Sequence, residues 1–417
     1  MDRYPKMVKI RQHFDNRKID DVKAELSSQL SQDHIRHRLH QGDKVAIAVG
    51  SRGIDNLVDV VTTVIKHVKE RGAFPFLVPA MGSHGGATDK GQEQILRDYG
   101  LIPEVIGAPI YSSMEVTQLG TVEKDIPVYF DKSASEADAI IVVNRVKPHT
   151  NFKSDIESGI LKMMTVGLGK QKGASTIHSH GIYGLKTLIP KMAEVILEKM
   201  PISYSIALVE NAYDRTAICQ VIEPENLIET EKDLLVKAKQ LMPSLPTDDL
   251  DILLVEEMGK NISGTGMDPN IIGRIYVRGQ EEPKKPDINY IGVFDLTMES
   301  HGNACGIGYA DLTTKRLVDK INYHDTYMNL ITAVFPHLAK IPITLSSDKE
   351  VVDVALQFMK PKKASDVTIV RVKNTLDLHD IEVSESLWKK IKDISHFEQL
   401  RPARDLEFDE GGRIISL

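Results

Sequence analysis

The chain has 417 residues, 41% hydrophobic, 27% charged and 6% aromatic, an ordinary globular profile with room for two or three domains of about 100–200 residues each. Its net charge of −7, from 52 basic and 59 acidic side chains with no long block of one sign, excludes the concentrated basic footprint that nucleic acid or an anionic membrane surface demands. No apolar run approaches the ~18 residues of a membrane span, residues 1–11 lack a signal-peptide core, and two cysteines cannot build a disulfide framework or a cysteine metal site; a cytoplasmic protein of enzyme size is expected.

No internal repeat or low-complexity stretch interrupts the chain. Val22, Leu26, Leu30, Ile35 and Leu39 keep a helical period that ends at Gly42. The apolar run 44–49 (KVAIAV) reads as a strand and leads through Gly50-Ser51-Arg52-Gly53 into a helix marked by Leu57, Val61, Ile65 and Val68. Residues 74–78 form the next strand, followed by a Gly- and His-bearing loop at 81–88 and a helix over 89–99. The run 139–143 (AIIVV) is a further buried strand with a polar loop, 144–162, behind it. Strand, loop and helix repeated in this order predict an α/β fold with a mostly parallel sheet covered on both faces. Ligands in such sheets bind beyond the carboxyl ends of the strands, where loops 50–53, 81–88 and 144–162 are placed.

Residues 242–249 carry two prolines and no periodicity, which predicts a linker. Strands at 251–255, 290–296 and 367–372, helices near 321–335 and 348–359, and a Gly-rich loop at 259–274 then make a second Rossmann-like α/β unit. The expected division is an N-terminal domain over 1–246 and a C-terminal one over 247–399, with the polar tail from about 400 to 417 folding back onto the first and an active-site cleft between the two.

The candidate chemistry lies in those loops. Ala80-Met-Gly-Ser-His84-Gly-Gly surrounds one histidine with three glycines, a backbone able to present a side chain that serves as acid or base near neutral pH. Loop 144–162 brings Lys147-Pro-His149 and Ser158-Gly-Ile-Leu-Lys162, followed by Gly167-Leu-Gly-Lys-Gln-Lys-Gly173 and His178-Ser-His180. These glycines and lysines suit a phosphate, yet they match neither the Walker pattern nor the dinucleotide fingerprint. His149, His178 and His180 could also be read as a zinc site, although no carboxylate or cysteine completes a familiar ligand spacing.

Together these segments resemble the nickel-pincer nucleotide-dependent lactate racemases and their homologues, over nearly the whole chain in length and element order. Met81-Gly-Ser-His84 is similar to the family's Gly-Thr-His loop and Lys147-Pro-His149 to its Pro-His segment, which implies His84 and His149 as the catalytic acid/base pair. Lys162 stands where the family's lysine attaches the cofactor, a pyridinium-bisthiocarboxylate mononucleotide of nickel. His178, sixteen residues on, has the spacing of the nickel ligand, with His180 its rival. Gly50-Ser51-Arg52 resembles the end of a loop that touches cofactor and substrate, and Glu257-Met-Gly-Lys260 a second-domain loop whose lysine faces the site. Val49 stands where the family often has Asp, and Glu257 where the lactate enzyme has Gln; these departures point away from lactate itself as substrate.

The resemblance implies a racemase or epimerase that inverts C2 of a 2-hydroxy acid. Hydrogen leaves C2 as hydride, because a side-chain base alone would face a dianion, and a cofactor must receive it. Arg52, whose planar fork suits a carboxylate, and then Lys260 are the expected partners of the acid group. Asn270, Arg274, His301 and Asn303, in loops dense with hydrogen-bonding side chains, are expected to read groups beyond C3 of a longer or polyhydroxylated acid, and Cys305 to be a small buried filler. The other readings are a metal-dependent hydro-lyase acting on a sugar acid and a nickel-nucleotide binding protein without turnover. Expected partners are the small acid and the cofactor-synthesis enzymes, not nucleic acid or membrane, and a homo-oligomer is compatible with all of this.

Overall fold

The computed structural model describes residues 4–333 and 335–415. They form two compact units: one spans residues 15–242, and the other joins the N-terminal stretch up to residue 14 with the chain from 243 onward. Among the described residues no helix is long and apolar enough to cross a membrane.

The first unit is built on a five-stranded sheet in the order Phe74–Pro79, Lys44–Val49, Ala139–Arg145, Ile202–Glu210, Thr216–Ile222. The first four strands are parallel and the last is antiparallel to its neighbour. Both faces are covered, so the strands are apolar without alternation. Val45, Ile47 and Val49 pack on one face with helices Val22–Leu30 and Leu57–Glu70; Ala46, Ala48 and Val142 pack on the other with helices Ile189–Lys199 and Leu227–Leu241. The expected long opening helix stops at Leu30 and resumes over Asp33–Arg36. The backbone N–H of Ser31 still bonds to Ser27 O, but its hydroxyl bonds back to Ser28 O at 2.7 Å, the local competition with the helix that serine brings.

The second unit holds an eight-stranded sheet in the order Ile343–Leu345, Leu312–Thr314, Asp287–Leu296, Asp249–Met258, Ile369–Val372, Asp380–Ser384, Met7–Gln12, Phe397–Arg404. Its first five strands are parallel and its last three antiparallel. Two features differ from the expected division. Met7–Gln12 is a strand of this sheet, not part of the unit that follows it in sequence, because Met7, Val8 and Ile10 have their buried places beside Asp380–Ser384. The tail strand Phe397–Arg404 pairs with Met7–Gln12, so it covers the edge of the second unit's own sheet, giving backbone groups there a partner.

Candidate active site

Three loops leave the carboxyl ends of the parallel strands of the first unit, and each carries one group of the expected site. The shortest follows Val49. In it Ser51 sets its hydroxyl against Nδ1 of His84, and its carbonyl accepts from the Tyr99 hydroxyl at 2.9 Å. The Arg52 guanidinium projects from this turn, exposed and without a hydrogen bond or ion pair among the described residues.

The second loop, after Pro79, is held from beneath. Gln92, fully buried on helix Asp89–Asp98, donates to Gly82 O at 2.9 Å and to His84 O at 3.2 Å. Lys170, also fully buried, donates to Pro79 O at 2.5 Å and Gln92 Oε1 at 3.2 Å and pairs with Asp131 at 3.1 Å. Gly85 has φ +64°, and a Cβ there would lie 2.6 Å from the backbone of Gly91, so only glycine permits this turn.

The third loop is closed at its base by two backbone bonds between Lys147 and Ser158, at 2.8 and 3.2 Å. Inside it the buried carboxylate of Glu157 accepts from the N–H of His149 at 2.6 Å and of Ser154 at 3.2 Å, and pairs with Lys239 at 2.8 Å. The His149 ring stacks tilted on Phe152, centroids 4.5 Å apart, and its Nδ1 accepts the Asn151 N–H at 3.0 Å.

Lys162 ends the short helix Ile160–Lys162, which passes into a π-helical turn over Met163–Gly167, a backbone form that recurs at functional sites. Glu231 accepts the Leu161 N–H at 3.0 Å. Its buried carboxyl lies against Gly159, where a Cβ would force it to shift, and burial pushes its pKa up to about 7. Lys162 Nζ has no hydrogen bond or ion pair among the described residues. Burial, and then the charge of Arg52, brings Lys162 down to about 8, with Glu157 pulling the other way. His178 lies near the end of helix Lys170–Ser179.

Electrostatics tie these groups together. The pKa of His84 is lowered by burial, then by Arg52, Lys162 and His178; that of His149 falls well below the usual value through burial, then Lys162, Lys153 and His178; that of His178 falls through burial and Lys162. Each shift favours the neutral ring, the form that keeps a lone pair for a proton or a metal. His180 turns away, its Nδ1 on Thr176 O at 2.8 Å, and its charge is felt at Glu123. Among the described residues no three His, Cys, Asp or Glu side chains come together to hold a metal ion, so any metal here needs further donors from a cofactor or substrate.

The other expected residues lie in the second unit and are engaged within it. Lys260 Nζ donates to Gly264 O at 2.6 Å and Asn329 Oδ1 at 2.8 Å. Asn270 donates to Asp268 at 2.8 Å, and Asn303 accepts the Cys305 N–H at 3.1 Å. Arg274, 8% exposed, donates to the carbonyls of Tyr309, Ile288 and Asn289 and pairs with Asp311 at 2.8 Å. His301 is exposed, at φ +48°, and Cys305 is buried. Sequence reasoning missed Gln92, Asp131, Lys170, Glu157 and Glu231, which hold the site rather than face it. A signal existed for Glu231: with Leu227, Leu234, Leu235 and Ala238 it shares the buried stripe of its helix, an unusual place for a carboxylate.

No curated protein matches the chain. Among solved structures it is similar to the lactate racemase apoprotein from Thermoanaerobacterium thermosaccharolyticum, with a TM-score of 0.52 and 11% identity over 89% of this chain and 98% of that one; the likeness establishes the mixed α/β fold. A family model described as a domain of unknown function (DUF362) matches residues 48–345. That span carries every loop of the candidate site, and the protein belongs to the DUF362 family.

Proposed function

We propose that the protein is an isomerase, a racemase or epimerase that inverts C2 of a 2-hydroxy acid with a nickel-pincer nucleotide held in the first unit. The observation that supports this most is the unpaired state of Arg52 and Lys162, two cations in one electrostatic neighbourhood with three imidazoles whose pKa values are lowered. A fold that leaves such cations without partners is suited to an anionic ligand.

The residues fit the cofactor. Lys162, brought down to about 8, has about a tenth of its amine neutral at pH 7, far more than an ordinary lysine, for covalent attachment. His178 offers a neutral ring nitrogen to the metal. When bound, the nickel-pincer nucleotide supplies the hydride acceptor that no side chain provides. Arg52 holds the substrate carboxylate, His84 and His149 attend the hydroxyl at C2, and Gly50 and Ser51 shape the wall beside the cofactor. The substrate is a 2-hydroxy acid longer or more polar than lactate; Lys260, Asn270, Arg274 and Asn303 are held by partners within the second unit, and no role toward it is assigned to them or to His301.

Co-expression with cofactor-synthesis enzymes, followed by intact mass and metal analysis, tests the reading. An adduct lost in Lys162→Ala, with about one nickel per chain, supports it and opens a screen of 2-hydroxy acids for loss of optical purity. An adduct and nickel with no turnover on any acid would leave a binding protein.

A further inference from the structure

The two histidines at the site are held in different ways. A backbone amide can only donate, so the Asn151 N–H at 3.0 Å from His149 Nδ1 requires a lone pair on that nitrogen. In the neutral ring the proton then sits on Nε2. The turn that aims this amide is fixed: Glu157 grips the N–H groups of His149 and Ser154, Lys239 pairs with Glu157, and Lys147 and Ser158 close the loop. The charges acting on the ring, Lys162 and Lys153, are cations, which oppose a second proton. His84 Nδ1 instead faces the Ser51 hydroxyl, a group that donates or accepts as required.

We infer that the turn clamped by Glu157 holds His149 as a neutral ring with its proton on Nε2, so that His149 donates a hydrogen bond to a substrate oxygen while His84 alone takes the hydroxyl proton. This rests on the reading above and makes its acid/base pair unequal. The substrate O–H bond breaks toward His84 Nε2, and the Nδ1–H of the resulting imidazolium rests on the Ser51 hydroxyl. His149 neither gains nor loses a proton. Glu157 is a positioning residue in this scheme, acting through the backbone of His149. A neutral histidine used in this way polarises an oxygen without competing for the proton.

The test is ring-nitrogen NMR on the full chain with ¹⁵N-labelled histidine and no cofactor, so its outcome is independent of whether the cofactor reading holds. His149→Gln assigns the signals. Near neutral pH, wild-type His149 is expected to show a protonated Nε2 and an unprotonated Nδ1, and Glu157→Gln a mixture of tautomers. An Nδ1–H ring or an imidazolium in the wild type overturns the inference, whatever the variant does. In cofactor-loaded protein, His149→Gln, whose amide N–H replaces Nε2–H only in part, is expected to lose about tenfold in turnover. His84→Gln should lose about 10²–10⁴-fold, and equal losses would contradict the asymmetry.

Discussion

The Gly-rich polar loops of the two units look alike in sequence, yet the fold uses their charges in opposite ways. In the second unit Lys260 is bound to a carbonyl and an amide, and Arg274 to three carbonyls and a carboxylate. In the first, Arg52 and Lys162 have no such partner among the described residues, while the charges behind them, Lys170 with Asp131 and Lys239 with Glu157, are paired. Burying a charge costs several kcal/mol unless it is paired, a cost that bears on the half-buried Lys162 and not on the exposed Arg52. The density of polar letters in a loop does not distinguish these two cases.

Substitutions can sharpen or break this contrast. The largest effect is expected from Lys170→Met, which strands the buried Asp131 and unties Gln92 from beneath His84; urea denaturation should show a loss of about 3–5 kcal/mol. Next is Glu231→Gln. Because the Glu231 carboxyl is raised from 4.5 to about 7, the folded state holds its proton more tightly than the unfolded one. Wild-type stability from this group falls as pH rises from 4.5 to 7 and is level beyond. The variant should gain on wild type across that window by something on the order of 2–3 kcal/mol; a constant difference would contradict the buried carboxyl.

Arg274→Ala should cost about 1.5–3 kcal/mol of stability through its lost charged hydrogen bonds and leave the affinity of the first unit for anions unchanged. Arg52→Ala should do the reverse, weakening anion binding about tenfold or more with stability within about 0.5 kcal/mol of wild type. If the two exchanged signatures, the contrast would fail. The smallest effect belongs to His301→Asn, which keeps a residue tolerant of positive φ at an exposed position and should change stability by less than about 0.5 kcal/mol.

Periodicity alone placed the buried parallel strands, since KVAIAV and AIIVV are apolar on both faces, and with them the loops that carry His84, His149 and Lys162. It could not place Met7–Gln12 or Phe397–Arg404, whose mixed patterns are decided by partners hundreds of residues away. Nor could it show that His180, at the end of its helix, holds its ring on Thr176 O. The residues that hold the site, Gln92, Lys170 and Glu157, act through backbone groups of other loops, a relation no local spacing records. Only Glu231 announced itself, as a carboxylate in an apolar stripe.

The central claim is that Lys162 is kept unpaired and partly neutral in order to carry an anionic nickel cofactor. Its most direct test is the intact mass and nickel content of the chain made alongside cofactor-synthesis enzymes, with a known nickel-pincer racemase loaded in the same cells. A single adduct that vanishes in Lys162→Ala, with about one nickel per chain, is the predicted result. An unmodified chain without nickel, while the control is loaded, would contradict it.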